Sequence, residues 1–536
     1  MSRPAGSDVG SDAGDRTRNA LVREGTSGYE AATGATVGLS GLLFAVGLAA
    51  LLEVVTITDP VGGVSLTTAL GGALTLVGAA VLAFGLGSRA GLFPTAPQPS
   101  AGVVAAVAFS VLWFVVGGLV ASQTLGLSTL WPVAALATAA VAFAVAAFPR
   151  EDVGSTLPAG SVALLGGLAL LTRVVGPGWE WVLGGFNATL FATTVVPLIV
   201  MVSSLLTGWA AAKSYGGYGA RGRHVGAYAL IYLVVLAILA VLVGLLAFVA
   251  VRGLPGLFRG FGLFTDAGLV RWPFVTNGAG LFADVKGVFP AIVGTVWLVV
   301  GAVAFAVPTG VGAAVFLSEY AEQGRFTRAV EVATNGLWST PSIVFGLFGA
   351  AFLVPRFGNQ KSLIAGQLTL GFMLLPLVLI TSREAVLAVP DEYRDASAAL
   401  GASKWQTVRS VVLPAAVPGI TTGVILGVGR IAGETAPILL TTGGGVLPAK
   451  RQTPNVIAGF QFSASPPFVT NPALLDASSA LPYQLYALIT AGLGRESLAN
   501  ASQFAWGLAL TLLLVVLSFY AVGIATRYYF RRKLHQ

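Results

Sequence analysis

Long apolar stretches with almost no charge constrain this chain more than any other feature. The stretches 226–251, 288–317 and 505–526 each run for about 20 residues or more, and a helix of that length crosses a hydrocarbon core of about 30 Å. Across the sequence 55% of residues are apolar and 10% are charged, whereas soluble globular proteins have about 25% charged residues. This composition excludes a soluble enzyme, a disordered scaffold and a small disulfide-stapled domain. The sequence therefore predicts an all-α polytopic membrane protein.

About twelve such stretches are present, and they form two groups of six. A basic, glycine-rich segment, 212–225, separates the groups, and the polar residues 1–36 are predicted to be a disordered cytoplasmic tail. We predict an N-terminal membrane extension at 37–212 and a second membrane domain at 213–536. The predicted spans are 37–56, 66–87, 102–122, 129–148, 158–175, 188–211, 226–251, 288–317, 336–355, 363–389, 411–435 and 505–526.

Basic residues predict how these spans are oriented. If residues 1–36 are cytoplasmic, the cytoplasmic segments hold 19 arginines and lysines and the external segments hold 10. This excess fits the positive-inside rule and predicts a plasma-membrane protein with both termini in the cytoplasm. The external segment 252–287, with four basic residues, is the exception. Topology in a lipid bilayer then accounts for the formal net charge of +8, and no nucleic-acid partner is needed.

Residue types that catalysis usually requires are scarce. The sequence has no cysteine and only two histidines, His224 and His535, which excludes a thiol nucleophile and argues against a histidine-based metal site. It also lacks a Gly-x-x-x-x-Gly-Lys-Ser/Thr loop that would bind ATP phosphates. We therefore predict a chain that is not an enzyme and binds no cofactor or metal itself. The extension contains little chemistry, and Arg150, Glu151 and Asp152 are interpreted as an ordinary polar connection.

A polar segment between the tenth and eleventh predicted spans carries the signals of two short helices. Pro390 suits the first turn of a helix, and Asp391 would then face the positive end of the helix dipole. Gly401 suits the left-handed position that ends this helix, and Ser403 with Gln406 matches a capping box that begins a second helix. The pattern predicts a helix–glycine–helix elbow at 384–410.

The elbow offers Leu400 and Trp405 as apolar side chains that a groove on a partner protein would accept. From spacing alone, two interpretations stay open. The elbow is either a docking element for a partner or an amphipathic connector between two membrane spans.

One basic residue, Arg430, lies inside a predicted span, and Glu434 follows four residues later. We expect both on one helical face, within or near the inner part of the span 411–435. An ionisable side chain at that depth costs about 2.5–3.5 kcal/mol on insertion scales, so it normally faces a bundle interior or an aqueous path. The pair is therefore either part of an anion pathway or a structural ion pair. The run 441–445 after Pro437 is interpreted as a flexible external turn.

Three stretches, in the same order, resemble the permease subunits of ABC importers. The elbow resembles their EAA loop, and 337–348 and 430–437 are similar to the Pro-Ser-Ile-Val-Phe-Gly and Arg-Ile-Ala-Gly-Glu-Thr-Ala-Pro segments of the PstA-type permeases of phosphate importers. The matching residues of the elbow are Asp395, Ala396, Ser397, Gly401, Leu413 and Pro414. Aspartate at 395 replaces the usual glutamate and serine at 397 replaces the second alanine.

The resemblance covers 213–536 and implies the core of a type I ABC importer permease, with the transmembrane module at about 288–527 and the coupling loop at 384–414. It implies that inorganic phosphate is the substrate. The implied partners are ATP-binding subunits that hold ATP and magnesium, a second homologous permease and an extracytoplasmic phosphate-binding protein. The coupling residues are then expected to be Asp395, Ala396, Ser397, Gly401 and Trp405, and the substrate-pathway residues Arg430 and Glu434.

Alternatives remain at this stage. The permease would also suit another oxyanion, such as sulfate, molybdate or phosphonate. Twelve spans would suit an ion-coupled secondary transporter, although no intramembrane carboxylate is expected beyond Glu434. The resemblance assigns nothing to the first six spans, for which a sensory or assembly role is a further hypothesis.

Overall fold

The structure, a computed structural model, contains two compact units, Met1–Leu245 and Leu246–Gln536. Among the described residues ten helices are long and apolar enough to cross a membrane, and one bent helix pair would make eleven. The predicted all-α polytopic class is confirmed, whereas the number of about twelve spans is not confirmed. The described residues are 28–148, 150–182, 189–265, 268–277, 287–322, 324–443, 453–466, 468–491 and 501–534.

The described part of the first unit has six helices and two antiparallel hairpins, followed by a long helix that continues into the second unit. The helices are α1 Gly28–Leu51, α2 Leu66–Arg89, α3 Val103–Leu119, α4 Trp131–Ala147, α5 Glu151–Leu171, α6 Ala192–Tyr215 and the long α7 Gly219–Leu257. The hairpins pair β1 Pro60–Val61 with β2 Val64–Ser65, and β3 Glu180–Val182 with β4 Thr189–Phe191. Helix α2 packs on α5, α1 on α6, and α3 on α4.

Glycines at seven-residue spacing let α2 and α5 approach each other closely. A Cβ atom added at Gly71 would lie 2.9 Å from Leu170 Cβ, and one at Gly78 would lie 2.7 Å from the backbone nitrogen of Leu164. Gly72, one position further along α2, faces open space. The close approach therefore depends on one face of α2, as is common where membrane helices pack through small residues.

The segment 212–225, predicted to be a linker, is a tight turn between two helices. Helix α6 ends at Tyr215 and α7 begins at Gly219. Gly217, Tyr218 and Gly219 all have positive φ, at 71°, 60° and 61°, and only glycine adopts this region without strain. Tyr218 is held in it by burial and by a 2.7 Å hydrogen bond between its hydroxyl and Ser214 Oγ. Only three residues, 216–218, therefore separate the two helices.

The connection before α5 is buried, so its interpretation as an ordinary polar connection is wrong. Glu151 is 0% exposed, and its Oε1 lies 2.9 Å from Nζ of Lys213, which is 2% exposed. Lys213 also donates to Ser155 Oγ at 2.7 Å. The other oxygen of Glu151 accepts the backbone N–H groups of Gln98 at 3.2 Å and Gly219 at 2.9 Å. This ion pair joins the start of α5 to the end of α6.

The neighbouring carboxylate, Asp152, is also fully buried and joins α5 to α2. Its Oδ2 accepts Ser88 Oγ at 3.0 Å and lies 3.2 Å from Arg150 Nη2. Its Oδ1 accepts the backbone N–H of Val153 at 2.9 Å. Both acidic residues lie in the first turn of α5, where the helix dipole favours negative charge.

The described part of the second unit holds the remaining helices. They are α8 Pro273–Thr276, α9 Phe289–Val315, α10 Arg325–Ser339, α11 Ser342–Phe348, α12 Val354–Arg356, α13 Leu363–Leu387, α14 Asp391–Ala399, α15 Lys404–Thr407, α16 Leu413–Ala432, α17 Ala436–Thr441, α18 Pro472–Leu475, α19 Leu481–Ala491 and α20 Ala501–Leu534. Three π-helical segments continue α9, α11 and α15, at Phe316–Tyr320, Gly349–Leu353 and Val408–Val412. Two hairpins pair β5 Gly262–Thr265 with β6 Gly268–Arg271, and β7 Gln461–Phe462 with β8 Val469–Thr470.

The core of the second unit lies between α9, α13 and α16, and α20 packs on the last of these. Leu298, Ala302, Leu374 and Val378 are at most 1% exposed there. Burial of this apolar surface holds the long helices together, and the shorter helices pack against them.

The predicted span 336–355 is not one straight helix, because the chain bends sharply inside it. Helix α10 and the helical stretch Ser342–Arg356 meet at 103°. Pro341 disfavours a helical conformation at the residue before it, and Thr340 has ψ of 130°. The sequence Ser-Thr-Pro therefore ends one helix before the next one begins.

Removing the carboxylate of Glu151 should destabilise the first unit. In Glu151→Gln the Lys213 ammonium stays buried without its counter-charge, and breaking a buried pair in this way costs about 3–5 kcal/mol. We expect a lower Tm for the purified protein in detergent, followed by tryptophan fluorescence.

The control is Glu180→Gln, which changes an exposed carboxylate on β3 and should leave the Tm unchanged. A Glu151→Leu/Lys213→Met double variant should recover part of the loss, since no unpaired charge remains. A Glu151→Gln protein as stable as the control would contradict this account.

Candidate functional site

The elbow has the predicted helix–glycine–helix structure. Helix α14 begins at Asp391, with Pro390 in the N-cap position rather than in the first turn. Gly401 follows with φ of 78°, the left-handed conformation expected after the helix. At the start of α15 the Ser403 N–H donates to Gln406 Oε1 at 2.7 Å and the Gln406 N–H donates to Ser403 Oγ at 3.4 Å, which completes the capping box.

The elbow presents its predicted contact residues to the outside. Leu400 is 89% exposed and Trp405 is 56% exposed. Asp395 and Ala396 are exposed as well, while Ser397 is half-buried and shares a 2.9 Å hydrogen bond with Thr407 Oγ1. An exposed leucine and tryptophan on a short rigid elbow form a surface that fits an apolar groove of another protein.

Arg394 anchors the elbow, and sequence analysis did not single it out. Its Nη2 lies 2.8 Å from Glu319 Oε1, in the π-helical segment that continues α9. The same nitrogen donates to the carbonyl of Val386 at 3.0 Å, near the end of α13. Arg394 thus joins α14 to two helices of the core.

Arg430 lies in the last turn of α16, and Glu434 lies beyond the end of that helix at Ala432. The expectation that both residues share a helical face is therefore wrong. The depth of Arg430 within the membrane stays a prediction. Arg430 is 17 residues after Leu413, or about 26 Å along the helix from its elbow end.

Arg430 and Glu434 meet a third residue, Trp338, at the end of α10. Arg430 Nε lies 3.7 Å from Glu434 Oε1, and Arg430 Cζ lies 4.6 Å from the centre of the Trp338 ring. The exposed fractions are 35% for Arg430, 18% for Glu434 and 39% for Trp338. We call these three residues the arginine site.

The guanidinium at the arginine site keeps donors for another partner. It carries five N–H donors, and one weak ion pair and one ring contact account for its side-chain interactions within the described ranges. The negative end of the helix dipole favours a cation at this position. The arrangement is able to bind an oxyanion.

The two stretches that resemble PstA-type permeases pack against each other. A Cβ atom added at Gly346 on α11 would lie 3.0 Å from Leu440 Cδ1, 3.0 Å from Pro437 Cα and 3.2 Å from the Ala436 carbonyl oxygen. Trp338 and Arg430 bring the other ends of the same stretches together. The residues of the two stretches therefore form one structural site.

The run 441–445 does not begin as an exposed turn. Thr441 and Thr442 are 0% exposed, and Thr441 Oγ1 donates to the Pro437 carbonyl at 2.7 Å. The Thr441 carbonyl accepts the N–H of Ser362 at 2.9 Å. The interpretation as an external flexible turn is wrong for the two threonines, and residues 444 and 445 lie outside the described residues.

Within the described residues, no group of three or more histidine, cysteine, aspartate or glutamate side chains is placed to hold a metal ion. The chemistry of the site is therefore that of an arginine, a carboxylate and an aromatic ring.

Comparison with known proteins identifies the family. The pattern of the binding-protein-dependent transport system inner membrane components matches residues 306–536. The phosphate transport system permease protein PstA of Mycobacterium leprae is 34% identical over 252 residues, which cover 46% of this chain and 72% of that protein. The chain belongs to the PstA-type permeases of this family. Its members are multi-pass transport permeases of the inner membrane and not enzymes, so the resemblance seen in the sequence is confirmed.

Other relatives are matched over a shorter part of their length. The probable ABC transporter permease protein YqgI of Bacillus subtilis is 34% identical over 190 residues, 35% of this chain and 64% of that protein. PstA 1 of Mycobacterium tuberculosis H37Rv is 41% identical over 157 residues, 29% of this chain and 51% of that protein. The chain therefore spans about half to two thirds of these two curated relatives.

A larger residue at Gly346 should separate the two matching stretches. Gly346→Leu forces α11 away from α17, and such overpacking typically costs about 1–3 kcal/mol. We expect a lower Tm in detergent. Gly312→Leu is the matched control, because a Cβ at Gly312 meets nothing within 4 Å. Equal stability of the two variants would show that the close contact is unimportant.

Proposed function

We propose that this chain is the permease subunit of an ATP-driven importer that moves inorganic phosphate into the cytoplasm. The observation that carries the proposal is the arginine site, where a partly exposed guanidinium lies between an aromatic ring and a weakly held carboxylate. The names of several relatives, which refer to phosphate transport, favour phosphate over sulfate, molybdate or phosphonate.

The chemistry of phosphate suits the arginine site. Phosphate carries one or two negative charges at neutral pH, and a guanidinium meets such an oxyanion with a planar fork of donors. Glu434 is 3.7 Å from Arg430, which is longer than a close charge-assisted hydrogen bond of about 2.7–2.9 Å. Phosphate would displace this carboxylate as it arrives, and Glu434 would return when phosphate leaves.

Energy would come from partner subunits that bind ATP and magnesium. The elbow would dock into a groove on such a subunit through Leu400 and Trp405, with Asp395, Ala396 and Ser397 on the docking helix and Gly401 setting its angle. Closure of the ATP-binding subunits would then move the elbow and switch the access of the arginine site from one side of the membrane to the other.

The remaining parts of the assembly are also proposals. A second homologous permease would complete the pathway, and an extracytoplasmic binding protein would deliver phosphate. The excess of basic residues in alternate loops supports a plasma-membrane orientation with both termini in the cytoplasm.

Replacing Arg430 tests the substrate proposal. In the complete transporter reconstituted in liposomes, Arg430→Gln should lower phosphate uptake at least about 100-fold, because loss of a charged bidentate partner costs several kcal/mol. Arg430→Lys should restore only part of the uptake, since an ammonium lacks the planar fork. The measurement is uptake of labelled phosphate, with sulfate and arsenate as competitors.

The control for this test is Arg328→Gln, which removes an exposed arginine of α10 and should leave uptake unchanged. Undiminished uptake in Arg430→Gln would overturn the role of the arginine site. Inhibition by sulfate, without inhibition by arsenate, would identify a permease for another oxyanion.

Changes in the elbow should uncouple transport from ATP hydrolysis. Asp395→Lys reverses a charge on the docking helix, and Gly401→Val puts a β-branched residue at φ of 78°, a region that L-residues disfavour by about 1–2 kcal/mol. We expect ATP hydrolysis to continue while phosphate uptake falls. Glu392→Gln, on the same helix, is the control, and normal uptake per ATP in both elbow variants would refute the coupling role.

A further inference from the structure

The elbow is tied to the core through one arginine with an unusual number of partners. Besides Glu319 and the Val386 carbonyl, Arg394 donates to the Val389 carbonyl at 2.6 Å and lies 3.1 Å from Asp391 Oδ1. Arg394 is 21% exposed and Glu319 is 9% exposed, so the link between them is largely shielded from water. A displacement of α14 therefore acts directly on the ends of α9 and α13.

A second ion pair starts from the same end of α13. Arg383 Nη2 lies 2.7 Å from Glu331 Oε1 in the middle of α10. Glu331 is seven residues before Trp338, which places it two helical turns, or about 10 Å, from the arginine site. The pair therefore connects the helix that carries the elbow to the helix that carries Trp338.

Helix α10 itself has little apolar packing to hold it. Thr327 and Thr334 are its only buried residues in the part of the chain that the structure describes. Phe326 and Val332 are 65% and 68% exposed. The sharp bend after Ser339 separates α10 from the helical stretch that follows. A helix attached in this way takes its position from a few specific contacts, of which the Arg383–Glu331 pair is one.

We propose that the ion pairs Arg394–Glu319 and Arg383–Glu331 make α10 the element that links the elbow to the arginine site. Movement of the elbow shifts the end of α13, α13 carries α10 with it, and α10 changes the position of the Trp338 ring over Arg430. Arg394 and Arg383 are positioning residues in this scheme, because they act on the substrate site through other residues. The inference rests on the proposed transport function and deepens it.

The first test measures phosphate uptake per ATP hydrolysed in the complete reconstituted transporter. Glu331→Gln and Arg394→Gln should each lower this ratio about 10-fold while ATP hydrolysis persists. The swapped variant Arg383→Glu/Glu331→Arg should recover at least half of the ratio, since it restores that pair with its charges exchanged. Arg328→Gln and Glu392→Gln, which remove exposed charges from α10 and α14, should leave it unchanged.

The second test does not depend on which anion is transported. The chain has no cysteine, so spin labels attach only where cysteines are introduced. Labels at Val332 on α10 and Leu426 on α16, both exposed, report the distance between these helices in the complete complex. We expect this distance to differ between the nucleotide-free and the ATP–vanadate states. The difference should be lost in Glu331→Gln and Arg394→Gln and should return in the swapped variant Arg383→Glu/Glu331→Arg.

The outcomes separate this inference from the proposed function. A distance change that persists in Glu331→Gln, or a swapped variant that recovers nothing, overturns the link through α10. Absence of phosphate uptake in the unaltered transporter, together with a distance change that depends on both ion pairs, rejects phosphate as the substrate and supports the link. If Glu331→Gln does not fold, Glu331→Asp keeps the charge but shortens the side chain, and an unchanged distance difference in that variant counts against the proposal.

Discussion

The guanidinium of Arg430 lies at the end of an apolar helix, and the surrounding residues of the second unit must stabilise its charge. Arg430 needs polar or aromatic partners, since an ionised side chain in an apolar environment is costly. These partners are near Arg430 because two helices end close to it. Helix α16 stops at Ala432, which leaves Glu434 free to turn back, and α10 stops before Pro341, which leaves Trp338 beside the guanidinium. Beyond the two breaks, Gly346 allows α11 to pack closely against α17.

Two ion pairs of this chain each join a basic side chain to a glutamate, but they differ in how deeply they are buried. Lys213 and Glu151 are 2% and 0% exposed, lie 2.9 Å apart and have further hydrogen bonds. Such a pair is saturated and serves to fix helices. Arg430 and Glu434 are 35% and 18% exposed and lie 3.7 Å apart. An open pair with unused donors is able to exchange its partner, and the proposed role of Arg430 depends on this property.

Local signals in the sequence predicted the local structure well. The capping box at Ser403 and Gln406 and the glycine at 401 are local signals, so their spacing was sufficient to predict the two helices of the elbow. The Lys213–Glu151 pair was missed because its members are 62 positions apart and meet only when the bundle forms. The same holds for Arg394 and Glu319, 75 positions apart.

Hydropathy alone does not predict the bend inside the stretch 336–355. Its apolar content satisfies a hydropathy criterion, and only Pro341 signals that two helices meet there. Hydropathy measures how well a stretch suits lipid, but it does not show whether the helix changes direction within that stretch. The relative positions of the arginine-site residues could therefore be determined only from the structure, whereas their chemical types were visible in the sequence.

The two units differ in how their charged side chains are paired. In the described part of the first unit, the buried carboxylates Glu151 and Asp152 are fully engaged by Lys213, Ser88 and backbone N–H groups. Close glycine contacts between α2 and α5 add rigidity. The partly exposed guanidinium of Arg430 lies in the second unit, within the residues 306–536 that match the permease family, and the proposed anion pathway therefore rests on that unit alone.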